Sequence, residues 1–298
     1  MSYQAYHPMI AAASRKPALW RLVAGAVTAI LLTLVWLAAI ILAAGITQGG
    51  GFRTGAGVLF GGPATSPARS VLYLLIVGGL GLGTLAAARL WQGRRRADLI
   101  GRGARVLRHF AIAMIVTFIA AAVLFVGQLA FDDGAGPVRN MSVADWLSWL
   151  PFALIALAFQ TGAEELFFRG YLQSQLAARF RRPAIWLVLP AIAFGFAHFA
   201  PTLPPQNAVL YVGFAALFGV LAGDLTARTG SLGAAWGWHF ANNTLAVLIV
   251  ATEGSLTGLA LWKTADSLLE PIAFSPWLVM DVGIVLVVWV AIRRALGV

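Results

Sequence analysis

The 298-residue sequence contains no cysteine, only two lysines and few charged residues of any kind. The absence of cysteine excludes both a disulfide framework and a cysteine nucleophile. Charged residues make up 11% of the chain and hydrophobic residues 60%, whereas an average soluble domain has about 25% charged and about 45–50% apolar residues. A soluble globule of this composition would lack the charge to cover its surface, and a disordered chain would be far less apolar. The composition therefore predicts a polytopic membrane protein.

Long runs without Asp, Glu, Lys or Arg predict the membrane-spanning helices, because a helix needs about 20 mostly apolar residues to cross a bilayer. The run 183–223 is too long for one crossing, and the prolines of PTLPPQN break it into two helices joined by a turn. The fold class that we expect is an all-α membrane bundle of about eight transmembrane helices. The predicted spans are 22–52, 70–88, 109–131, 146–163, two within 183–223, 229–252 and 276–292.

The basic residues predict the orientation of this bundle. With the N-terminus inside, 16 of the 21 Lys and Arg residues fall on inner segments and 4 on outer segments. Such a bias is typical of cytoplasmic loops, so we expect both termini inside the cell and a multi-pass protein of the cell (inner) membrane. The net charge of +10 then reflects topology, and we expect no nucleic-acid partner.

The chain divides into three predicted regions. Residues 1–144 hold three transmembrane helices, 145–250 hold four, and 251–298 contain an outer loop and the C-terminal transmembrane helix. Residues 253–274 form most of that loop, in which an interfacial helix is one option. The oligomeric state is not predicted by any of these patterns.

Ionisable groups inside a bilayer are costly, so each one is a hypothesis for a functional site. The fourth apolar run leads into Glu164, Glu165 and Arg169. Glu165 and Arg169 are four residues apart on one helix face and predict an ion pair, whereas Glu164 points about 100° away and lacks this partner. The alternative is that the helix has ended and all three charges lie in water. The apolar residues that continue up to Arg179 argue against it.

Two histidines and an asparagine lie on the following apolar segments. His198 ends the fifth run, and His239 and Asn243 share one face of the seventh. Taken singly, each has a simpler explanation, as a packing residue or as a hydrogen bond between helices. Glu164 and His198, however, each lie 17 residues from Arg181 in the predicted hairpin, about 25 Å from its turn. The same rise places His239 and Asn243 at about 12–18 Å from the inner side, which predicts one buried polar site.

Such a site has the groups needed to hydrolyse an acyl compound, with a peptide as the obvious substrate. A carboxylate in an apolar pocket is a competent general base near neutral pH, and a neutral imidazole can orient the same water. A histidine and an asparagine on one face can donate hydrogen bonds to an oxyanion. Zinc bound by Glu164, His198 and His239 is the alternative, although no H-E-x-x-H motif is present. The residue types do not separate the two mechanisms.

The motifs Glu164-Glu165-x-x-x-Arg169, Phe194-x-x-x-His198 and His239-x-x-x-Asn243 resemble the three motifs of the CAAX prenyl protease and bacteriocin-processing family. The resemblance covers about residues 145–250 and implies an eight-helix intramembrane endopeptidase, type II CAAX protease-like. It implies that Glu164 is the catalytic base and acts on water with His198, while His239 and Asn243 form the oxyanion hole. Glu165 and Arg169 become a supporting pair and Phe194 a packing residue. A glutamate-dependent mechanism without a cofactor is favoured over one that uses zinc.

The partners implied are therefore a protein or peptide substrate and the lipid bilayer. Two other functions stay open. A catalytically inactive immunity or scaffold protein could keep the polar cluster for helix specificity, and Gly219-x-x-x-Gly223 suits close helix packing under either function. A transporter could use Asp224 and Asp281 for ion coupling, but no paired interrupted helices of the transporter type are evident.

Overall fold

The computed structural model describes residues 3–62, 64–129, 136–271 and 276–298, and these are mostly helical. The α-helices, in chain order, are α1 (His7–Ser14), α2 (Leu19–Ile46), α3 (Phe52–Phe60), α4 (Pro67–Ala87), α5 (Arg96–Ile100), α6 (Gly103–Leu129), α7 (Val143–Glu165), α8 (Ser174–Arg179), α9 (Pro183–Ala197), α10 (Pro205–Thr229), α11 (Gly233–Thr244) and α12 (Pro276–Leu296). A 3₁₀ turn at Gln4–Tyr6 precedes α1, and π-helical turns continue α4, α7 and α11 over Ala88–Gln92, Leu166–Gln173 and Leu245–Ile249.

The helix boundaries follow from proline and glycine. Pro67, Pro183 and Pro205 each occupy a first position of a helix, where the missing N–H has no partner to lose. Gly230 ends α10 with φ of 60°, a left-handed conformation that glycine adopts without steric cost. The breaks expected from the sequence around residues 180–183 and 201–205 therefore fall where the chain turns.

The fold class predicted from the sequence is confirmed: the chain is a helical membrane bundle. Among the described residues, five helical stretches are long and apolar enough to cross a membrane: Leu19–Ile46, Pro67–Gln92, Arg96–Val126, Val143–Arg179 and Pro205–Thr229. The total of eight spans stays a prediction. Residues 130–131 of the predicted third span and 272–274 of the predicted outer loop lie outside the described residues.

Two of the predicted spans are shorter than expected. The apolar helix α9 has 15 residues, which is about 22 Å of helix and less than the hydrocarbon thickness of about 30 Å. The seventh span, predicted over 229–252, is helical only over Gly233–Ile249, because the chain turns into a strand at Val250. Both helices are therefore shorter than the hydrocarbon thickness of about 30 Å.

A small sheet follows α11 and replaces the interfacial helix that was one option for this loop. Strands β1 (Val138–Arg139), β2 (Val250–Glu253) and β3 (Trp262–Ser267) form it in the order β1-β3-β2. The first pairs with β3 antiparallel and the second pairs with β3 in parallel, with an irregularity between Ala251 and Glu253. Valine and tryptophan at the paired positions suit an extended backbone, so this segment forms paired strands instead of a helix.

The bundle encloses the charged end of α7. Helix α7 lies between α4 and α11, α11 packs on α6, and α9 packs on α10 and on the π-helical extension of α7. Leu166, Phe167, Phe168 and Tyr171 of that extension are buried in the main hydrophobic core together with Phe194 of α9. Large apolar side chains elsewhere on α2 and α6 are exposed at the outer surface, as expected for a lipid-facing helix.

Candidate active site

One continuous helical rod carries the acidic pair into the core. It runs from Val143 to Arg179, and Glu164 and Glu165 are the last two residues before its α-helical geometry widens into the π-helical turn Leu166–Gln173. Such turns often mark functional sites, because they change the direction of side chains along an otherwise regular helix. The charges therefore do not mark the end of the helix, and the alternative that they lie in water is wrong for Glu165 and Arg169, which are 0% and 1% exposed.

Glu165 and Arg169 form a buried ion pair. The guanidinium Nη1 of Arg169 donates to Oε1 of Glu165 at 2.9 Å. The face of the guanidinium lies over the ring of Phe194, with Cζ 4.2 Å from the ring centroid, in the geometry of a cation–π contact. Phe194 therefore does more than fill space, since it covers the buried cation.

His239 connects this ion pair to the other carboxylate. Its Nδ1 donates to Oε1 of Glu165 at 2.8 Å, and its Nε2 lies 3.5 Å from Oε2 of Glu164. One imidazole thus contacts both acidic side chains. Two carboxylates and one guanidinium leave this buried cluster one positive charge short, and buried charges need compensation. His239 is the basic side chain that contacts both carboxylates.

Asn243 lies one helical turn after His239 on α11. Its Nδ2 donates to Oε1 of Gln160 at 3.1 Å and lies 3.3 Å from Nε2 of His239. The two nitrogens therefore border the same space, in front of Glu164. A carbonyl oxygen placed there would have both of them as donors, if His239 is protonated at Nε2.

His198 lies immediately after α9, where the helix ends. Its Nδ1 donates to the carbonyl oxygen of Phe194 at 2.8 Å, so the neutral ring presents Nε2 as an acceptor. The ring packs on Phe194 at 4.4 Å between centroids. Within the described residues, no hydrogen bond or ion pair joins His198 directly to Glu164, and the ring of Phe194 lies against both imidazoles.

Three contacts of the site were not anticipated from the sequence. The bond between Glu165 and His239 joins residues 74 apart and has no local signal. Gln160, which holds Asn243, lies four residues before Glu164 on the same helix face, and that spacing is a signal that could have identified it. The ring of Tyr211 on α10 lies 6.2 Å from that of His198 and has no counterpart in the spacing argument.

The side chains named for zinc are not arranged as a metal centre. Among the described residues, no group of three or more His, Asp or Glu side chains is placed to hold a metal ion. Both nitrogens of His239 already face protein groups, and His198 is held to a backbone carbonyl. The zinc alternative therefore requires rearrangement of at least one of these histidines.

A comparison with known proteins finds a relative of this chain. The chain is 26% identical over 191 residues to the uncharacterized protein YyaK of Bacillus subtilis (strain 168), an alignment that covers 63% of this chain and 62% of that protein. The chain thus matches less than two thirds of the length of this relative. No solved structure matches the chain significantly.

The family model described as type II CAAX prenyl endopeptidase Rce1-like matches residues 146–245. This interval contains the whole polar site, from Gln160 on α7 to Asn243 on α11. Residues 146–245 of this chain therefore form an Rce1-like domain.

Proposed function

We propose that this protein is an intramembrane endopeptidase that cleaves a peptide bond of a membrane-associated protein or peptide. The Rce1-like domain supports a CAAX-type protease at the level of the family. One observation carries the proposal for this chain. Oε2 of Glu164 is buried, accepts no hydrogen bond from the described residues and lies 3.5 Å from Nε2 of His239. A buried carboxylate oxygen without a protein donor calls for an explanation, and a catalytic role is one.

Glu164 acts as the general base in this mechanism. Glu165 also has a buried Oε2 without a hydrogen-bond partner among the described residues, but its Oε1 accepts from both Arg169 and His239, which ties this carboxylate to the buried cation. A water that donates to Oε2 of Glu164 loses a proton to it, and the resulting hydroxide oxygen attacks the scissile carbonyl carbon. The free Nε2 of His198 orients this water by accepting a hydrogen bond from its second O–H group.

The oxyanion that forms needs donors fixed in advance. Nδ2 of Asn243 and a protonated Nε2 of His239 supply them, since the two nitrogens lie 3.3 Å apart. The carboxylate of Glu165 at Nδ1 stabilises the imidazolium, and Gln160 orients the amide of Asn243. Donors that are already oriented cost no reorganisation when the charge develops.

The proton taken by Glu164 completes the reaction. It passes to the nitrogen of the leaving amine as the C–N bond breaks, so that water is divided between the new carboxyl and amino termini. Glu164 is then ionised again. The reaction is a net hydrolysis, and every proton moves between groups on this chain and the substrate.

A scaffold protein is the second candidate function, because most of the polar cluster is internally bonded. Buried polar networks fix helix partners, and the bonds of Glu165, Arg169, His239 and Asn243 suit that role. A scaffold, however, gives Glu164 no function. The fate of a Glu164 variant therefore separates the two candidates.

The test replaces Glu164 by Gln, which keeps the size of the side chain and removes the base. Membranes from cells that express either form are compared by mass spectrometry of peptide termini. We expect termini that depend on the wild-type protein to disappear in E164Q, since loss of a general base costs about 10²–10⁴-fold in rate. The purified variant should unfold at the same temperature as the wild type.

The matched control is Glu253→Gln, the same change at a half-exposed carboxylate of strand β2. This variant should produce the wild-type set of termini. Undiminished cleavage by E164Q would refute the role of Glu164. An identical set of termini in wild type, E164Q and cells without the protein would instead favour the scaffold.

A further inference from the structure

A cavity lies next to the polar site, along one face of the α7 rod. Its volume is about 420 Å³. Glu165 lines it, but Glu164, His198 and Asn243 do not. The cavity therefore borders the polar cluster through Glu165 but does not contain the side chains to which catalytic roles are given.

The walls of this cavity are apolar and come from four helices. They include Leu85 of α4, Val106 of α6, Phe159 and Leu166 of the α7 rod, and Trp236 of α11. Apolar pockets of about 300–1,000 Å³ with a few polar groups are typical of ligand sites. The lining suits a hydrocarbon chain.

The cavity opens sideways between α4 and α6. Helix α4 packs on α2 and α7, while α6 packs on α11 and α12, so the two helices leave a crevice between them. Leu82 of α4 and Leu107 of α6 line the cavity and are also exposed at the outer surface of the bundle. The crevice therefore opens towards the acyl chains of the bilayer.

An arginine side chain lies at one end of the crevice. Arg96, the first residue of α5, lines the cavity and is exposed, and its guanidinium forms no ion pair with an acid of the described residues. It belongs to a segment with seven arginines between positions 89 and 108, on the side predicted to be cytosolic. Basic pockets between transmembrane helices on that side bind anionic lipid head groups.

We propose that this crevice binds one anionic phospholipid, with an acyl chain in the cavity and the phosphate on Arg96. The apolar lining recognises the chain, and the unpaired guanidinium recognises the head group. This inference concerns lipid binding alone and does not depend on proteolysis.

The test measures lipid binding to the full purified chain in detergent by native mass spectrometry. Dioleoylphosphatidylglycerol is compared with dioleoylphosphatidylcholine, which has the same tails but no net charge. We expect one molecule of the anionic lipid to bind more tightly than the zwitterionic lipid. The R96Q variant should lose about fivefold of that preference, the effect of one arginine near a lipid phosphate.

The matched control is Arg89→Gln, an exposed arginine of the same segment that does not line the cavity. Wild-type binding by R89Q supports the site. Equal losses in R89Q and R96Q would show only a general attraction of the basic face and would overturn it. No preference for the anionic lipid in the wild type would also overturn it.

A second variant tests the crevice itself. Gly103 lines the cavity, and an added Cβ there meets no atom within 4 Å, so Gly103→Phe fills the entrance without a clash at Cβ. It should weaken binding of the first molecule of either lipid, and unchanged binding would refute the crevice. In parallel, phosphatidylglycerol with a photoreactive tail should label peptides of α4, α6 and α7. Even labelling of the outer surface, including α2, would refute it whether or not the variants fold.

Discussion

Replacing Glu165 by Gln should destabilise the protein more than any other neutralisation of a single carboxylate in the site. The carboxylate is 0% exposed and accepts hydrogen bonds from both Arg169 and His239 through one oxygen. Glutamine keeps the shape and one acceptor oxygen but removes the charge. The guanidinium of Arg169 then stays buried against the rings of Phe194, Phe168 and Phe218, and its ion pair with Glu165 is lost.

The magnitude follows from burial. Removing one partner of a buried ion pair costs about 3–5 kcal/mol, because the other charge is left uncompensated. At about 2–4 °C per kcal/mol for chains of this size, the midpoint of thermal unfolding should fall by about 6–20 °C. The retained amide oxygen places the expected loss at the lower end of this range.

The assay is thermal unfolding of both forms in the same detergent at one scan rate, since unfolding of such proteins is commonly irreversible. Glu253→Gln is the control. The carboxylate of Glu253 lies 2.7 Å from Lys263, but the two side chains are 35% and 34% exposed. An exposed pair of this kind contributes about 0–1 kcal/mol, so E253Q should shift the midpoint by a few degrees at most.

A second variant distinguishes charge from packing. If the loss in E165Q comes from the orphaned guanidinium, the double change Glu165→Gln with Arg169→Met should recover part of the midpoint. A wild-type midpoint in E165Q would refute the reasoning. A double variant less stable than both single variants would show that packing, and not the unpaired charge, explains the loss.

Two further predictions concern pH and metal. Burial raises the pKa of Tyr3 from 10.0 to about 12, together with the carboxylate of Asp224, which accepts a hydrogen bond from the hydroxyl at 2.9 Å. The folded state thus favours the neutral phenol, so the contribution of Tyr3 to the free energy of unfolding is full below pH 10 and is lost as the pH rises through about 12. Tyr3→Phe should therefore flatten the alkaline part of a curve of unfolding midpoint against pH, and an unchanged slope would contradict the contact. Cleavage should survive exhaustive dialysis against a chelator, and loss of activity that zinc restores would instead support metal catalysis by Glu164, His198 and His239.

The fold class was predictable because the composition and the charge-free runs directly indicate a chain that lies in a lipid bilayer. Proline positions also located the turns, since proline fixes the start of α9 and α10. The lengths of the helices were not predictable in the same way. Val250 is as apolar as the residues of α11 before it, and only its pairing with Trp262 on β3 turns the chain into a strand. Hydropathy cannot separate an apolar strand from the end of an apolar helix.

Contacts within one helix were predictable, and contacts between helices were not. The spacing of four residues placed Arg169 beside Glu165 and Asn243 beside His239. Equal depth in the predicted hairpin paired Glu164 with His198, whereas the imidazole that lies nearer to Glu164 is that of His239. Depth along a hairpin fixes height in the bilayer but not the rotation of each helix. The assignment of catalytic roles to these side chains stays a prediction.

The rotation of α11 decides which carboxylates His239 contacts, and its cause lies on the opposite face of that helix. Gly233 and Gly237 lie against the backbone carbonyls of Val106 and Phe110 on α6, where an added Cβ on either glycine would collide with the carbonyl oxygen. Small residues four apart let two helix backbones approach closely. With this face fixed against α6, His239 and Asn243 point to the end of α7, and Nδ1 of His239 reaches Glu165. The glycine pair is visible in the sequence, but the helix on which it packs, α6, lies more than a hundred residues away from it in the chain.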